Sequence, residues 1–250
     1  MLKIGLCGCN GRMGKVITDI VSKKENMKIV AGFDAYTEKL ADYPVYADPK
    51  EFTGECDVVI DFSRPEALPA VCAYVKRTGT PLLSGTTGYS DEQMARIRAL
   101  GAYAPVLHSG NYSVGIAVFR RVLEQISGIF KPDFDIEITE IHHNQKVDAP
   151  SGTALMLRDA VDNAHEYNTV YGRQGAVGKR PQKEIGMHSL RGGTVTGVHT
   201  VSFFGPDEEF EITHRASSRQ ILVNGALHMA RILKDMPKGV YDLQKLLFRD

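Results

Sequence analysis

The first 34 residues leave this chain few folds to choose from. Leu2 to Cys7 is a short apolar run, and Gly8-Cys9-Asn10-Gly11-Arg12-Met13-Gly14 follows it directly. Met13, Val16, Ile17, Ile20 and Val21 then recur at the spacing of a helix with one apolar face. A second strand pattern, Lys28 to Phe33, closes on Asp34, about 20 residues past the last glycine. A strand, a glycine-rich turn, a helix and a strand closed by an acid outline a dinucleotide-binding βαβ unit. The spacing is Gly8-x-x-Gly11-x-x-Gly14, with Asn10 where the second glycine of G-x-G-x-x-G would stand.

The same rhythm continues for another 80 residues or so. Asp57 to Phe62 reads as a buried parallel strand, and Pro65 opens a helix to about Arg77. Pro81 to Ser84 is the next strand, and Ser90-Asp91-Glu92-Gln93 caps a helix to about Ala102. Pro105 to His108 is a further strand, followed by Ser109-Gly110-Asn111-Tyr112. Alternation of this kind predicts an α/β fold, a Rossmann-like doubly wound parallel sheet. Ligands on such sheets bind beyond the carboxyl ends of the strands, where Gly8 to Gly14, Gly85 to Gly88 and Ser109 to Tyr112 all fall.

After the helix Val114 to Phe130 the pattern changes. Strands are expected over Asp133 to Ile141, Ile185 to Arg191, Thr194 to Phe204 and Glu208 to Ala216, mutually antiparallel, with a hairpin at Phe204-Gly205-Pro206-Asp207. Tyr167 to Lys183 reads as a loop, Gln220 to Lys234 as an amphipathic helix and Val240 to Leu247 as a short last helix. The expected domains are 1–113 with 217–250, dinucleotide-binding, and 114–216, an α+β substrate-binding and oligomerisation domain with a mostly antiparallel sheet.

The densest chemistry lies at Glu140-Ile141-His142-His143-Asn144-Gln145-Lys146-Val147-Asp148-Ala149-Pro150-Ser151-Gly152-Thr153-Ala154. It joins a strand end to a helix, expected over Gly152 to Ala164, for which Ser151 is the N-cap. Singly, each residue has a plain structural reading: surface histidines, a loop lysine, a turn-capping aspartate. Together they place an imidazole that exchanges protons near neutral pH, an ammonium group and a helix N-terminus that attracts anions on one corner. That set suits a small dianion protonated as it is reduced. Adjacent His142 and His143 point to opposite faces of a strand, which argues against a zinc site.

This stretch resembles the signature of the dihydrodipicolinate reductases, which act in lysine and diaminopimelate biosynthesis. Gly8 to Gly14, Gly85 to Gly88, Asn111 to Gly115 and Ile212 to Arg219 extend the resemblance along essentially the whole chain. It implies reduction of 4-hydroxy-tetrahydrodipicolinate, by way of dihydrodipicolinate, to tetrahydrodipicolinate. It also implies His142 as proton donor, Lys146 as assisting acid and substrate ligand, and His143, Gly152 and Thr153 on the substrate carboxylates. Gly8, Cys9, Asn10, Gly11, Arg12, Met13, Gly85, Thr86, Thr87, Ser109, Gly110, Asn111 and Tyr112 would cradle the dinucleotide. Asp34 would take the adenosine ribose, with Arg219 near the cofactor. A homotetramer assembled through the second domain's sheet is implied as well. Asp34 followed by Ala35 favours NADH, while Arg12 and Lys39 leave room for the 2′-phosphate of NADPH, so NADH preference or dual use is expected.

Thirty basic residues balance thirty acidic ones, so no overall field draws the chain to nucleic acid or membrane. Neither a signal peptide nor a membrane span is expected, and Cys7, Cys9, Cys56 and Cys72 read as reduced thiols of a cytoplasmic protein. Two rivals remain: a nicotinamide oxidoreductase for another substrate, and a dinucleotide sensor without turnover.

Overall fold

The computed structural model describes residues 1–218 and 220–248 and divides into two compact units, Met1–Ser113 with Gln220–Asp250, and Val114–Arg219. The first unit contains β1 (Leu2–Cys7), α1 (Arg12–Ser22), β2 (Met27–Phe33), β3 (Val45–Tyr46), β4 (Val58–Asp61), α2 (Leu68–Thr78), β5 (Leu82–Ser84), α3 (Asp91–Ala99) and β6 (Pro105–His108). The second contains α4 (Val114–Phe130), β7 (Asp135–His142), α5 (Gly152–Val161), β8 (Asn168–Tyr171), β9 (Glu184–Arg191), β10 (Gly197–Phe204) and β11 (Glu209–Ala216). The chain then returns to the first unit with α6 (Gln220–Leu233), β12 (Gly239–Tyr241) and α7 (Leu243–Phe248).

The first sheet has seven strands in the order β12-β6-β5-β4-β1-β2-β3. Every pairing in it is parallel. Its direction of growth reverses between β1 and β4, the kind of crevice where such sheets hold ligands. Both faces are covered. Leu2, Ile4 and Leu6 pack with Ile17 and Val21 of α1 and with Val223, Leu227 and Met229 of α6. Val59, Leu82 and Val106 pack with Val71 and Val75 of α2 and Ile97 of α3. Local signals set the helix ends. Ser90 and Gln93 form a reciprocal capping box, and Gly79, at φ 70°, ends α2 in the left-handed conformation.

The second sheet runs β11-β10-β7-β9-β8. β10 pairs antiparallel with β7 and β11, but β9 lies parallel to β7, and β8 parallel to β9. This corrects the expectation that the four strands are mutually antiparallel. The connection from β7 to β9 carries α5 and β8, and a crossover of that length permits a parallel return. The helices α4 and α5 cover one face through Phe119, Leu123 and Leu157 on Ile136, Ile138, Met187 and Phe203.

Three further expectations are corrected. Tyr167 to Lys183 holds the edge strand β8. The α5 helix stops at Val161, where buried Asp162 is engaged by Lys131 Nζ and the Tyr167 N–H. Gly239–Tyr241 is a strand on the open edge of β6, so the last helix starts only at Leu243. An unpaired sheet edge takes up β-prone residues such as Val240 and Tyr241 before a helix can nucleate. Among the described residues no helix is long and apolar enough to cross a membrane.

Candidate active site

In the first unit, the loops after β1, β4, β5 and β6 gather at the carboxyl edge of the sheet. Gly8 has φ 73°, and a Cβ there would lie 2.6 Å from the Phe62 carbonyl oxygen that follows β4. A Cβ at Gly14 would lie 2.2 Å from the Gly8 carbonyl oxygen. Only glycine allows this approach of turn, helix and neighbouring strand. The α1 helix has Gly11 as N-cap, with no side-chain cap hydrogen bond and no acid in its first turn. Its N-terminal N–H groups and positive dipole end therefore suit an anionic diphosphate. The residues present fit a dinucleotide here.

Asn10 explains its own place in the motif. Its side-chain amide donates to the Tyr36 and Glu38 carbonyls at 2.7 and 2.9 Å, and its N–H donates to Asp34 Oδ2 at 3.0 Å. Asp34 Oδ1 also accepts the Tyr36 N–H, so the carboxylate is held at the tip of β2. Arg12 is exposed, and Met13 packs against the core. Cys9 is buried, and burial and then Asp34 push its thiol up to about 11, so it is an unreactive packing group.

Gly85 makes room for Phe62, whose ring a Cβ would meet at 2.3 Å. Buried Thr86 accepts the Ser63 N–H on its hydroxyl, whereas Thr87 is exposed and neighbours Gly110. Ser109 Oγ bridges the backbone of Asn111, and Asn111 Oδ1 accepts the Ser113 N–H. Tyr112 is 1% exposed, and its hydroxyl donates to the Ser84 carbonyl. Cys9, Thr86 and Tyr112 thus have their side chains inside, and what they offer a ligand is backbone. Sequence reasoning passed over the strand-end cluster beside them. Buried Asp61 accepts from Ser63 at 2.5 Å and from the Tyr89 hydroxyl at 3.1 Å, and His108 Nδ1 lies 3.3 Å from Ser84 Oγ. A charged residue ending the apolar run Val58–Asp61 was its signal.

In the second unit, β7 delivers His142 to the strand-loop-helix corner. The Ser151 hydroxyl accepts the Ala154 N–H, making the expected N-cap. Gly152 is exposed, and a Cβ there would meet nothing within 4 Å, so the helix start is open. Thr153 and His143 are half-buried near it in sequence. Lys146 Nζ pairs with Asp148 Oδ1 at 2.8 Å, which holds the Asp148 carboxyl below the usual range. Arg219 lies outside the described residues.

Behind His142 stands a network that was not anticipated. Glu140 is wholly buried. Its Oε2 lies 2.5 Å from His142 Nδ1 and accepts from Arg191 Nη1 at 2.9 Å. Its Oε1 accepts from Arg191 Nη2 at 2.8 Å and from the Ser151 N–H at 3.2 Å. Burial raises the Glu140 carboxyl, but Arg191 and His142 outweigh it and hold it below its ordinary value. The His199 ring lies edge-on to His142 at 5.1 Å, with Nε2 3.1 Å from Ser151 Oγ. Burial and then the neighbouring His142 lower His199 to about 4, so it is neutral at pH 7. The clue to Glu140 was its phase. It shares the inward face of Ile136 and Ile138, where a carboxylate without a partner would be costly.

The corner therefore offers a held imidazole, a weakly paired ammonium group and an open helix start. Among the described residues no His, Cys, Asp and Glu cluster could hold a metal ion.

Family models described as "Dihydrodipicolinate reductase, N-terminus" and "Dihydrodipicolinate reductase, C-terminus" match residues 2–112 and 115–247. The 4-hydroxy-tetrahydrodipicolinate reductase of Clostridium novyi (strain NT) is 41% identical over 249 residues, covering 99% of this chain and 98% of that protein. Its counterpart in Clostridium tetani (strain Massachusetts / E88) is 43% identical over 249 residues, covering 99% and 97%. Among solved structures, a dipicolinate-bound dihydrodipicolinate reductase from Paenisporosarcina sp. TG-14 superposes with TM-score 0.81 at 23% identity, covering 97% of each chain. At that identity the superposition speaks for the fold.

Proposed function

The chain belongs to the dihydrodipicolinate reductase family, and on that premise we propose how its residues carry out the reaction. The activity is the NAD(P)H-dependent reduction of 4-hydroxy-tetrahydrodipicolinate to tetrahydrodipicolinate, a step of lysine and diaminopimelate biosynthesis. The bound nicotinamide supplies the hydride. The open start of α1 and the glycines of its turn hold the diphosphate, with Asp34 on the adenosine ribose. The loops Gly85 to Thr87 and Ser109 to Tyr112 flank the nicotinamide side.

In the second unit, His142 as imidazolium gives a proton to the ring carbon beside the one that is reduced, quenching the charge that develops there. Proton transfer from a positioned side chain contributes about 10²–10⁴-fold. Lys146, His143, Thr153 and the α5 N-terminus at Gly152 bind and orient the two substrate carboxylates. Asp148 is half-exposed, and an exposed ion pair is worth about 1 kcal/mol or less. A substrate carboxylate therefore displaces it from Lys146 at small cost.

The observation that carries this reading is the convergence of His142, Lys146 and the open helix start on one corner. The test supplies substrate in situ from pyruvate and aspartate semialdehyde through the preceding synthase and follows NADH and NADPH oxidation. Wild-type turnover, largely lost in His142→Gln with cofactor binding kept, supports the reading; full turnover in the variant overturns it. The reading includes NADH preference or dual use, because the Asp34 carboxylate repels a 2′-phosphate. It also includes a homotetramer assembled through the second unit's sheet, which sedimentation velocity tests, and a cytoplasmic location in keeping with the free thiols.

A further inference from the structure

We propose that Glu140 is a positioning residue for the proton donor: it fixes the tautomer of His142, so that Nε2 delivers the proton, and ties that ring to the helix start that takes the substrate carboxylates. The inference rests on the reading of His142 given above and deepens it.

A wholly buried carboxylate survives only if its oxygens are engaged. Glu140 meets that demand with donors from three places: His142 on its own strand, Arg191 at the end of β9 and Ser151 at the head of α5. The fork of Arg191 keeps it ionised. An ionised carboxylate only accepts hydrogen bonds, so Nδ1 of His142 must carry the hydrogen facing Oε2. In the imidazolium the transferable proton is then the one on Nε2. When it leaves, the N–H electron pair stays on Nε2 and the proton joins the carbon made electron-rich by hydride addition. The ring returns to the neutral form with hydrogen still on Nδ1.

The ring is confined on its other side too. A Cβ at Gly197 would lie 3.1 Å from Nε2 and 3.7 Å from His199, so glycine here leaves the ring its position. The groups that contact His142 are Glu140 from β7, which Arg191 from β9 holds in turn, and His199 from β10; Lys146 of the following loop is paired with Asp148, and His214 of β11, opposite His199 in the strand register, is lowered by burial. With His199 neutral, that neighbouring ring adds no charge beside the imidazolium, and the charge of Arg191 is matched by Glu140. The Ser151 N–H on Oε1 adds what a simple acid–imidazole pair lacks. The same carboxylate seats the N-cap of α5, so donor and carboxylate-binding helix start move as one piece.

The test compares wild type, Glu140→Gln and His142→Gln in the coupled assay across pH, with ¹⁵N spectra of the His142 ring in wild type. In Glu140→Gln the side-chain amide turns a donor toward Nδ1 and favours the opposite tautomer. We expect kcat to fall about 10²-fold while KM for substrate and cofactor affinity stay within about threefold. The wild-type ring should show hydrogen on Nδ1 in its neutral form. A Glu140→Gln profile superimposable on wild type, or a neutral wild-type ring protonated on Nε2, overturns the proposal; the second readout stands even if the variant fails to fold. Full turnover in His142→Gln would instead sink the underlying reading of the donor.

Discussion

The turn after β1 and the corner after β7 both set a helix N-terminus at the end of a strand, yet they use opposite materials. The turn before α1 is made of backbone. Its N-cap is a glycine, its other glycines sit where no Cβ fits, and Cys9 and Met13 turn their side chains into the core. The corner before α5 is made of side chains. Its N-cap is Ser151, and around it stand a buried carboxylate, an arginine fork, two imidazoles and an ion-paired lysine. On the function proposed above, the difference follows from the two tasks. A diphosphate keeps its charge throughout the reaction, so fixed dipoles that approach closely are enough. A reacting ring changes charge, and only a titrating group with a defined tautomer can answer that.

The sharpest way to break this comparison is His142→Gln. It should lower kcat by about 10²–10⁴-fold and leave NADH affinity, read by fluorescence titration, unchanged. Equal loss of both would mean that the two sites do not divide the labour as described.

Next in size is a pH effect confined to the corner. His199 falls from its ordinary 6.5 to about 4 in the folded protein. Its unfolded form therefore binds more protons between those values. Its contribution to stability is full above pH 6.5 and fades as the pH drops towards 4, by about 3 kcal/mol at most. Urea melts of wild type and His199→Asn should show the stability advantage of wild type shrinking through this window. A gap independent of pH would refute the assignment.

Gly14→Ala probes the other region. The added methyl meets the Gly8 and Cys9 carbonyl oxygens at 2.2 and 2.5 Å, so the turn must shift. A stability loss of about 1–3 kcal/mol is expected in thermal melts, with weaker NADH binding. An alanine tolerated without change in either would show that the close approach is unimportant.

The smallest effect sharpens the cofactor question. Asp34, held by the Asn10 and Tyr36 N–H groups, should favour NADH or leave the two cofactors within about tenfold in kcat/KM, a difference of about 1.4 kcal/mol. Preference for NADPH beyond tenfold would move the weight to Arg12 and Lys39.

Where a structure is local, its sequence showed it. β1 spans Leu2–Cys7 and α4 spans Val114–Phe130 as read, because strand alternation, helical spacing and turn glycines act within a few residues. The Ser90 capping box and the Ser151 N-cap were legible for the same reason. The parallel course of β9, the strands β8 and β12, and the early end of α5 were not. Each depends on an edge or partner elsewhere in the chain: β12 on the edge of β6, α5 on Lys131.

The candidate site divides along the same line. By itself the sequence determined that a glycine turn opens α1, that Asp34 ends β2, and that His142, Lys146 and Gly152 share a corner, since all three are contiguous motifs. Only the tertiary structure decided which of those residues face inward and what stands behind them. Arg191 and His199 reach Glu140, Ser151 and His142 across about 50 positions of chain, by way of the register of β7 with β9 and β10. Strand register is a property of the whole sheet, set by which faces can be buried together, and no window of sequence contains it.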